Sequence, residues 1–221
     1  MIEAKHSQWA HTAFQFWLEN ILMKDFSAIY LLTSVPEIPT NKPLILAPNH
    51  STWYDGFIPY WINQKFLQRN FYIVMLEEQL KRYWFFNKLG AIGIQPESPA
   101  DIKASMHYLN SLLQPKNLIV YFPQGKIIPD ISEKFELTQG LRLLSGHSDT
   151  EILPMRIKIE PLNQRKPALF ISFHLPIRHK DYRENPELLI HTFRHLQMNE
   201  SKLLSQGKFG TCIYGKPHVG F

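Results

Sequence analysis

A histidine and an aspartate five positions apart are the side chains of this sequence best suited to acid–base chemistry. They are His50 and Asp55, and the surrounding segment 47–56 reads APNHSTWYDG. A carboxylate that reaches one imidazole nitrogen fixes the tautomer, stabilises the imidazolium and leaves the other nitrogen free as a general base. The spacing is therefore compatible with general-base catalysis by His50 with support from Asp55, although a single pair of this kind also arises by chance and gains weight only from its context.

A second polar turn follows another apolar run. The segment 120–126 reads VYFPQGK, with a glycine at the centre of the turn. Ligands usually bind at the carboxyl ends of strands in α/β sheets, so the two turns could face one crevice. Ser51 is an alternative nucleophile, but adjacent side chains rarely reach the geometry of a serine–histidine pair.

The elements that must position these turns can be predicted from apolar periodicity. Short, nearly continuous apolar runs predict strands at Leu44–Ala47, Phe71–Val74, Ala91–Ile94, Leu118–Phe122, Ile152–Ile157 and Ala168–Phe173. Helical patterns lie between them, at about Trp53–Asn63, Glu77–Lys88, Ala100–Leu113, Thr138–Leu144 and Pro186–Leu204. Continuous apolar strands separated by helices predict an α/β fold, with a mainly parallel central sheet flanked by helices.

The N-terminal segment has a different composition. From Ser7 to Leu32 apolar residues recur at helical spacing and aromatic residues are frequent, which predicts one amphipathic helix or two joined near Lys24 and Asp25. Aromatic rings partition well into the headgroup region of a membrane, so this segment is either an interfacial helix or a helix packed on its own core. We accordingly divide the chain into residues 1–32, the helical segment, and residues 33–221, the α/β domain.

Composition limits the remaining possibilities. The chain has 221 residues, of which 44% are hydrophobic, enough for one sizeable core. The formal charge of +5 favours anionic partners such as phospholipid headgroups. Cys212 is the only cysteine, which excludes disulfides and cysteine metal clusters and suits a cytoplasmic setting. We expect neither a signal peptide nor a membrane-spanning segment.

Four ordered blocks of this sequence resemble the lysophospholipid and glycerol-phosphate acyltransferase superfamily. Its first block is Asn-His-x-x-x-x-Asp, which Asn49, His50 and Asp55 match. Its third block is Phe-Pro-Glu-Gly-Thr-Arg, which matches at Phe122, Pro123 and Gly125. Segments similar to the second block, to the stretch that precedes the fourth and to the fourth block itself are found at 90–96, 135–140 and 152–157.

The resemblance implies direct acyl transfer. His50 would deprotonate an acceptor hydroxyl, which attacks the thioester of acyl-coenzyme A or acyl carrier protein, while Asp55 orients His50. No covalent acyl-enzyme, metal or cofactor is needed, and no Gly-x-Ser-x-Gly segment is present. The resemblance also implies a set of substrate-binding residues: Asn49, Phe122, Pro123, Gln124, Gly125 and Lys126. The expected partners are the acyl donor, a lipid-like acceptor and the inner face of a membrane.

The chain departs from the family pattern where charged residues are expected. Gln124 replaces the glutamate of the third block, and Pro96 and Ile128 stand at or beside the expected arginines. Lys126 keeps one positive charge, but a point charge does not replace a bidentate arginine. These departures predict an uncharged acceptor. They also leave open a lipid-binding family member that no longer transfers acyl groups.

Three further interpretations of the sequence concern a metal site, a basic surface and nucleic-acid binding. His191 and His195 are four apart on a predicted helix, but without a third ligand a surface pair is favoured over a metal site. The basic run 178–183 is typical of a solvated face, with contact to lipid phosphate or the carrier as the alternative. Nucleic-acid binding is not expected, because no clustered basic and aromatic motif is present.

Overall fold

The computed structural model describes residues 1–129, 135–144 and 149–217. One mixed sheet forms its centre, in the order β4-β3-β5-β2-β6-β7-β1-β9, with β8 paired to β6. The strands are β1 (Ala28–Leu31), β2 (Leu44–Pro48), β3 (Asn70–Leu76), β4 (Ala91–Ile94), β5 (Asn117–Val120), β6 (Glu151–Glu160), β7 (Ala168–Phe173), β8 (Ile177–Arg178) and β9 (Thr211–Gly215).

Most neighbours in the sheet run parallel. The pairs β4–β3, β3–β5, β5–β2, β2–β6 and β1–β7 are parallel, whereas β6–β7, β6–β8 and β1–β9 are antiparallel. All five residues of β2 are buried, as expected for a strand covered on both faces. The predicted α/β fold with a mainly parallel sheet is therefore confirmed.

Helices cover the sheet. They are α1 (Gln8–Asp25), α2 (Ile58–Ile62), α3 (Glu77–Arg82), α4 (Pro99–Leu112), α5 (Gly140–Leu143), α6 (His179–Glu184) and α7 (Glu187–Ser205). Two 3₁₀ helices (Trp53–Gly56 and Trp84–Lys88) and one π turn (Asn63–Leu67) also occur. The predicted helices at 53–63 and 77–88 are thus each divided into a 3₁₀ and an α part. Among the described residues, none of the helices is both long and apolar enough to span a bilayer.

The N-terminal segment differs from the predicted helix at its end. The helix α1 ends at Asp25, and Ala28–Leu31 is the strand β1, so the helical prediction was wrong there. Its neighbours are β7 and β9, more than 130 residues away in sequence. A short apolar run fits a helix or a strand equally well. Here the pairing with β7 and β9 makes the run a strand. The division of the chain at residue 32 stays a prediction.

The inner face of α1 belongs to the main hydrophobic core. Ala10, Phe14, Leu18 and Leu22 are each four apart and are buried in the cluster that contains β2. This spacing places all four side chains on one side of the helix. The helix is therefore packed on the core of the protein whether or not its outer side meets a membrane.

A buried ion pair fastens α7 to the sheet. Arg156 of β6 donates from Nε to Oε1 of Glu200 on α7 at 3.1 Å, and both side chains are almost fully buried. Taking two charges out of water is costly, and their mutual attraction offsets that cost only while both are present.

We expect Glu200→Ala to lower the free energy of unfolding by about 3 kcal/mol, because the Arg156 charge would stay buried without this partner. Urea unfolding followed by circular dichroism measures the change. Glu187→Ala removes an exposed glutamate from the same helix and serves as the control. Equal stability of the two variants would contradict the prediction.

Candidate active site

The turn that follows β2 brings His50 and Asp55 together. The Nδ1 atom of His50 lies 3.3 Å from Oδ2 of Asp55. A carboxylate only accepts hydrogen bonds, so Nδ1 carries the proton in this pair and Nε2 is the unprotonated nitrogen. The His50 side chain is 21% exposed, whereas Asp55 is fully buried. This arrangement gives His50 the geometry of an oriented general base.

Asp55 is held by the backbone of the same turn. Its Oδ2 accepts from the N–H of Ser51 and from the N–H of Thr52, the latter at 2.7 Å. Its Oδ1 accepts from the Thr52 hydroxyl at 2.9 Å. Thr52 and Asp55 form a capping box at the start of the 3₁₀ helix Trp53–Gly56. Sequence reasoning did not use Thr52, although the pattern Thr-x-x-Asp is a known cap signal.

The turn that follows β5 is hydrogen-bonded to the main chain of His50. The N–H of His50 donates to Gln124 Oε1 at 2.6 Å, and the N–H of Ile128 donates to the His50 carbonyl at 2.8 Å. The ring of Phe122 stacks on the imidazole with centroids 4.3 Å apart. The two turns therefore meet at His50, as the sequence suggested.

Asn49 fixes the other side of this turn. Its Oδ1 accepts from the N–H of Ile157 at 2.7 Å, and its Nδ2 donates to the Ile157 carbonyl at 3.0 Å. Asn49 is buried, so its amide is directed at β6 and away from solvent. The reciprocal pair ties the residue before His50 to the sheet.

Gly125 has a conformation that suits glycine. Its φ of 67° lies in the left-handed region, and a Cβ there would come within 2.6 Å of Thr138 Cγ2. Thr138 in turn donates from its N–H to the Pro123 carbonyl at 2.8 Å. The segment 135–140 thus packs behind the second turn. Lys126, by contrast, is exposed.

A further contact links α1 to the site. The Tyr54 hydroxyl donates to Asp25 Oδ2 at 2.6 Å. Desolvation and this hydrogen bond raise the pKa of Tyr54 to about 12. Tyr54 therefore stays protonated at neutral pH and is unsuited to act as a base. Nothing in the local sequence indicated this contact, because Asp25 lies 29 residues away.

The other candidates lie apart from this site. His195 meets His174 with ring centroids 5.8 Å apart, and no group of three potential metal ligands occurs in the described parts of the chain. In the basic run, His179 is buried and its Nε2 lies 3.1 Å from the Leu141 carbonyl, while Arg178 pairs with Asp181. Burial lowers the pKa of His179.

Comparison with known proteins identifies the family and the fold of the chain. The sequence model described as Acyltransferase matches residues 32–158, more than half of the chain. A search among curated proteins found no match. Among solved structures, the chain resembles the crystal structure of PlsC, the 1-acyl-sn-glycerophosphate (LPA) acyltransferase of Thermotoga maritima. The TM-score is 0.59 at 16% identity, over 87% of this chain and 79% of PlsC, which shows a shared fold. The chain therefore belongs to the Acyltransferase family.

Proposed function

We propose that this protein transfers a fatty acyl group from a thioester donor to a hydroxyl of a lipid-like acceptor. The donor would be acyl-coenzyme A or acyl carrier protein, and the reaction would belong to phospholipid or related lipid synthesis. The observation that carries the proposal is the contact between His50 Nδ1 and Asp55 Oδ2 at 3.3 Å, at the carboxyl end of β2. It supports His50 as the general base and Asp55 as its orienting partner.

The steps follow from this pair. His50 Nε2 takes the proton of the acceptor hydroxyl while its oxygen forms a bond to the thioester carbonyl carbon. The carbon–sulfur bond then breaks, and the imidazolium returns the proton to the leaving thiolate. Asp55 stabilises the imidazolium between these steps. Ester and free thiol are the products, so protons and electron pairs balance without a cofactor.

Release of thiol tests the activity directly. Purified protein is incubated with acyl-coenzyme A and a series of lipid alcohols, and free thiol is followed with a thiol reagent. Acceptor-dependent thiol release together with ester formation is the expected result. A second candidate function, lipid binding without transfer, is favoured by Gln124 in place of the family's glutamate. Tight lipid binding with no thiol release would select that alternative.

The reaction would take place at a membrane surface. On the outer side of α1 the side chains of Trp9, Phe16 and Met23 are exposed and seven residues apart, which places them in one stripe. Such a stripe on a helix too short and polar to span supports peripheral attachment. We propose attachment to the cytoplasmic, inner face, consistent with the single cysteine.

We expect an uncharged hydroxyl, as in a glycolipid or other lipid alcohol, to be acylated in preference to a phosphorylated acceptor. A phosphate in a crevice is held most strongly by arginine forks or several backbone donors, and a single lysine provides only a point charge. At the matching positions this chain has Gln124, Pro96 and Ile127. The measurement is a competition assay in which one acyl donor meets neutral and phosphorylated acceptors together, with product analysis by mass spectrometry.

The named activity of PlsC makes 1-acyl-sn-glycerophosphate the phosphorylated competitor of choice. Lys126→Ala is the matched variant, because Lys126 supplies an exposed positive charge in the second turn. Neutral products should predominate, and Lys126→Ala should leave the product ratio unchanged. Efficient acylation of the phosphorylated acceptor that is lost in Lys126→Ala would contradict the expected preference.

A further inference from the structure

Large aromatic side chains are exposed on three separate segments of the protein. Each is between 43% and 74% exposed, which is unusual for side chains of this size. We call this set the aromatic surface: Trp9, Phe16 and Trp17 of α1, Trp53 of the turn between His50 and Asp55, and Tyr83 and Trp84 beyond α3.

Ring contacts show that these segments form one surface. Trp53 packs on Phe57 with centroids 4.4 Å apart, and Trp17 of α1 packs on the same ring at 5.9 Å. Phe85 links α1 to the segment beyond α3. Its ring centroid lies 6.1 Å from that of Trp9 and 6.3 Å from that of Trp84. Segments far apart in sequence therefore present their outer rings side by side.

The active-site turn is part of this surface. Trp53 lies within the His-x-x-x-x-Asp motif, two residues before Asp55, and is 57% exposed. Trp53 and Asp55 belong to the same 3₁₀ helix, in which Asp55 is buried and Trp53 faces solvent. Whatever covers the aromatic surface therefore also contacts the turn that carries His50 and Asp55.

Exposed basic residues lie beside the aromatic surface. Arg82 lies over the ring of Tyr83 at 5.3 Å and is exposed. Lys24 is exposed in the last turn of α1, directly after Met23 of the apolar stripe. The whole chain carries +5. Tryptophan and tyrosine combined with lysine and arginine are the composition that the headgroup region of an anionic bilayer attracts.

We propose that the aromatic surface is the bilayer-contact surface of this protein, and that Trp53 and Trp84 enter an anionic phospholipid leaflet together with α1. The proposal deepens the proposed function by placing the His50 turn on the lipid, so that an acceptor reaches His50 from the bilayer side. Contact through three segments, rather than through α1 alone, also fixes the orientation of the protein on the membrane.

Vesicle binding tests the surface with single substitutions, because deleting residues 1–32 would also remove the strand β1 from the sheet. Trp53→Gln, Trp84→Gln and Trp17→Gln are compared by co-sedimentation with phosphatidylglycerol vesicles. Each should lower the partition coefficient about ten-fold, the effect of losing roughly 1.4 kcal/mol of apolar burial. The controls are Leu175→Gln and Met198→Gln, which remove exposed apolar side chains outside the surface and should bind like the wild type.

Fluorescence provides a second measurement that a folding defect cannot imitate. The chain has five tryptophans, of which Trp61 is buried and the other four belong to the aromatic surface. Replacing Trp9, Trp17 and Trp84 by Phe leaves Trp53 as the only exposed tryptophan. Phospholipids brominated in the acyl chain should then quench its emission, while Trp61 stays unquenched in the further variant Trp53→Phe.

Several results would overturn the proposal. They are unchanged vesicle binding in Trp53→Gln and Trp84→Gln, an equal loss in the two controls, absence of Trp53 quenching, or equal binding to phosphatidylcholine vesicles. Self-association of the wild type that Trp53→Gln abolishes would show a second copy of the chain on this surface instead. All measurements can be repeated in His50→Ala, so that failure of acyl transfer and failure of membrane contact remain separate.

Discussion

His50→Ala should abolish acyl transfer while the protein stays folded. A positioned general base contributes about 10²–10⁴-fold to a rate, and removal of the imidazole removes this contribution entirely. The side chain is partly exposed, and its main packing contact is the ring of Phe122 at 4.3 Å. We therefore expect a loss of stability of only about 1 kcal/mol. Thiol release under saturating donor and acceptor measures the rate, and urea unfolding measures the stability.

The matched control is His191→Ala, which removes an exposed histidine on α7 that lies apart from the turn. It should retain wild-type turnover. Wild-type turnover in His50→Ala itself would contradict the proposed mechanism, even though the chain belongs to the Acyltransferase family. A His50→Ala protein that binds the donor with unchanged affinity and releases no thiol would place the loss in the chemical step.

Asp55→Asn should cost both activity and stability, unlike His50→Ala. The carboxylate accepts hydrogen bonds from the N–H groups of Ser51 and Thr52, from the Thr52 hydroxyl and from His50. An amide offers one acceptor oxygen, and its NH₂ group would face a donor. With the carboxylate charge lost, we expect turnover to fall by about 10²–10⁴-fold. We expect the free energy of unfolding to fall by about 1–3 kcal/mol, because Asp55 is fully buried.

Asp181→Asn provides the comparison for this substitution. Asp181 pairs with Arg178 at 2.8 Å on the surface, where loss of an ion pair costs little. Turnover and urea midpoint should therefore stay near the wild type in Asp181→Asn. If Asp55→Asn kept full activity with a normal midpoint, neither the orienting role of Asp55 nor its role as a cap would stand.

The sequence determined the six strands from β2 to β7, most of the helices between them, and the pair of residues at the centre of the site. The apolar runs at 44–47 and 91–94 are buried strands, because a parallel strand covered on both faces needs apolar residues throughout. The five-residue spacing of His50 and Asp55 predicted their contact, since both lie in one short turn. Such features depend on neighbours in the chain, which the sequence displays directly.

Only the tertiary structure decided what depends on remote partners. Ala28–Leu31 is a strand because β7 and β9 lie on either side of it. The amide of Asn49 is directed at Ile157, and the backbone N–H of His50 meets Gln124, 74 residues away. Trp53, Trp17 and Trp84 become one surface through Phe57, Phe14 and Phe85. Periodicity reports which residues are apolar, but the packing of the whole chain determines which of them stay exposed and which groups they adjoin.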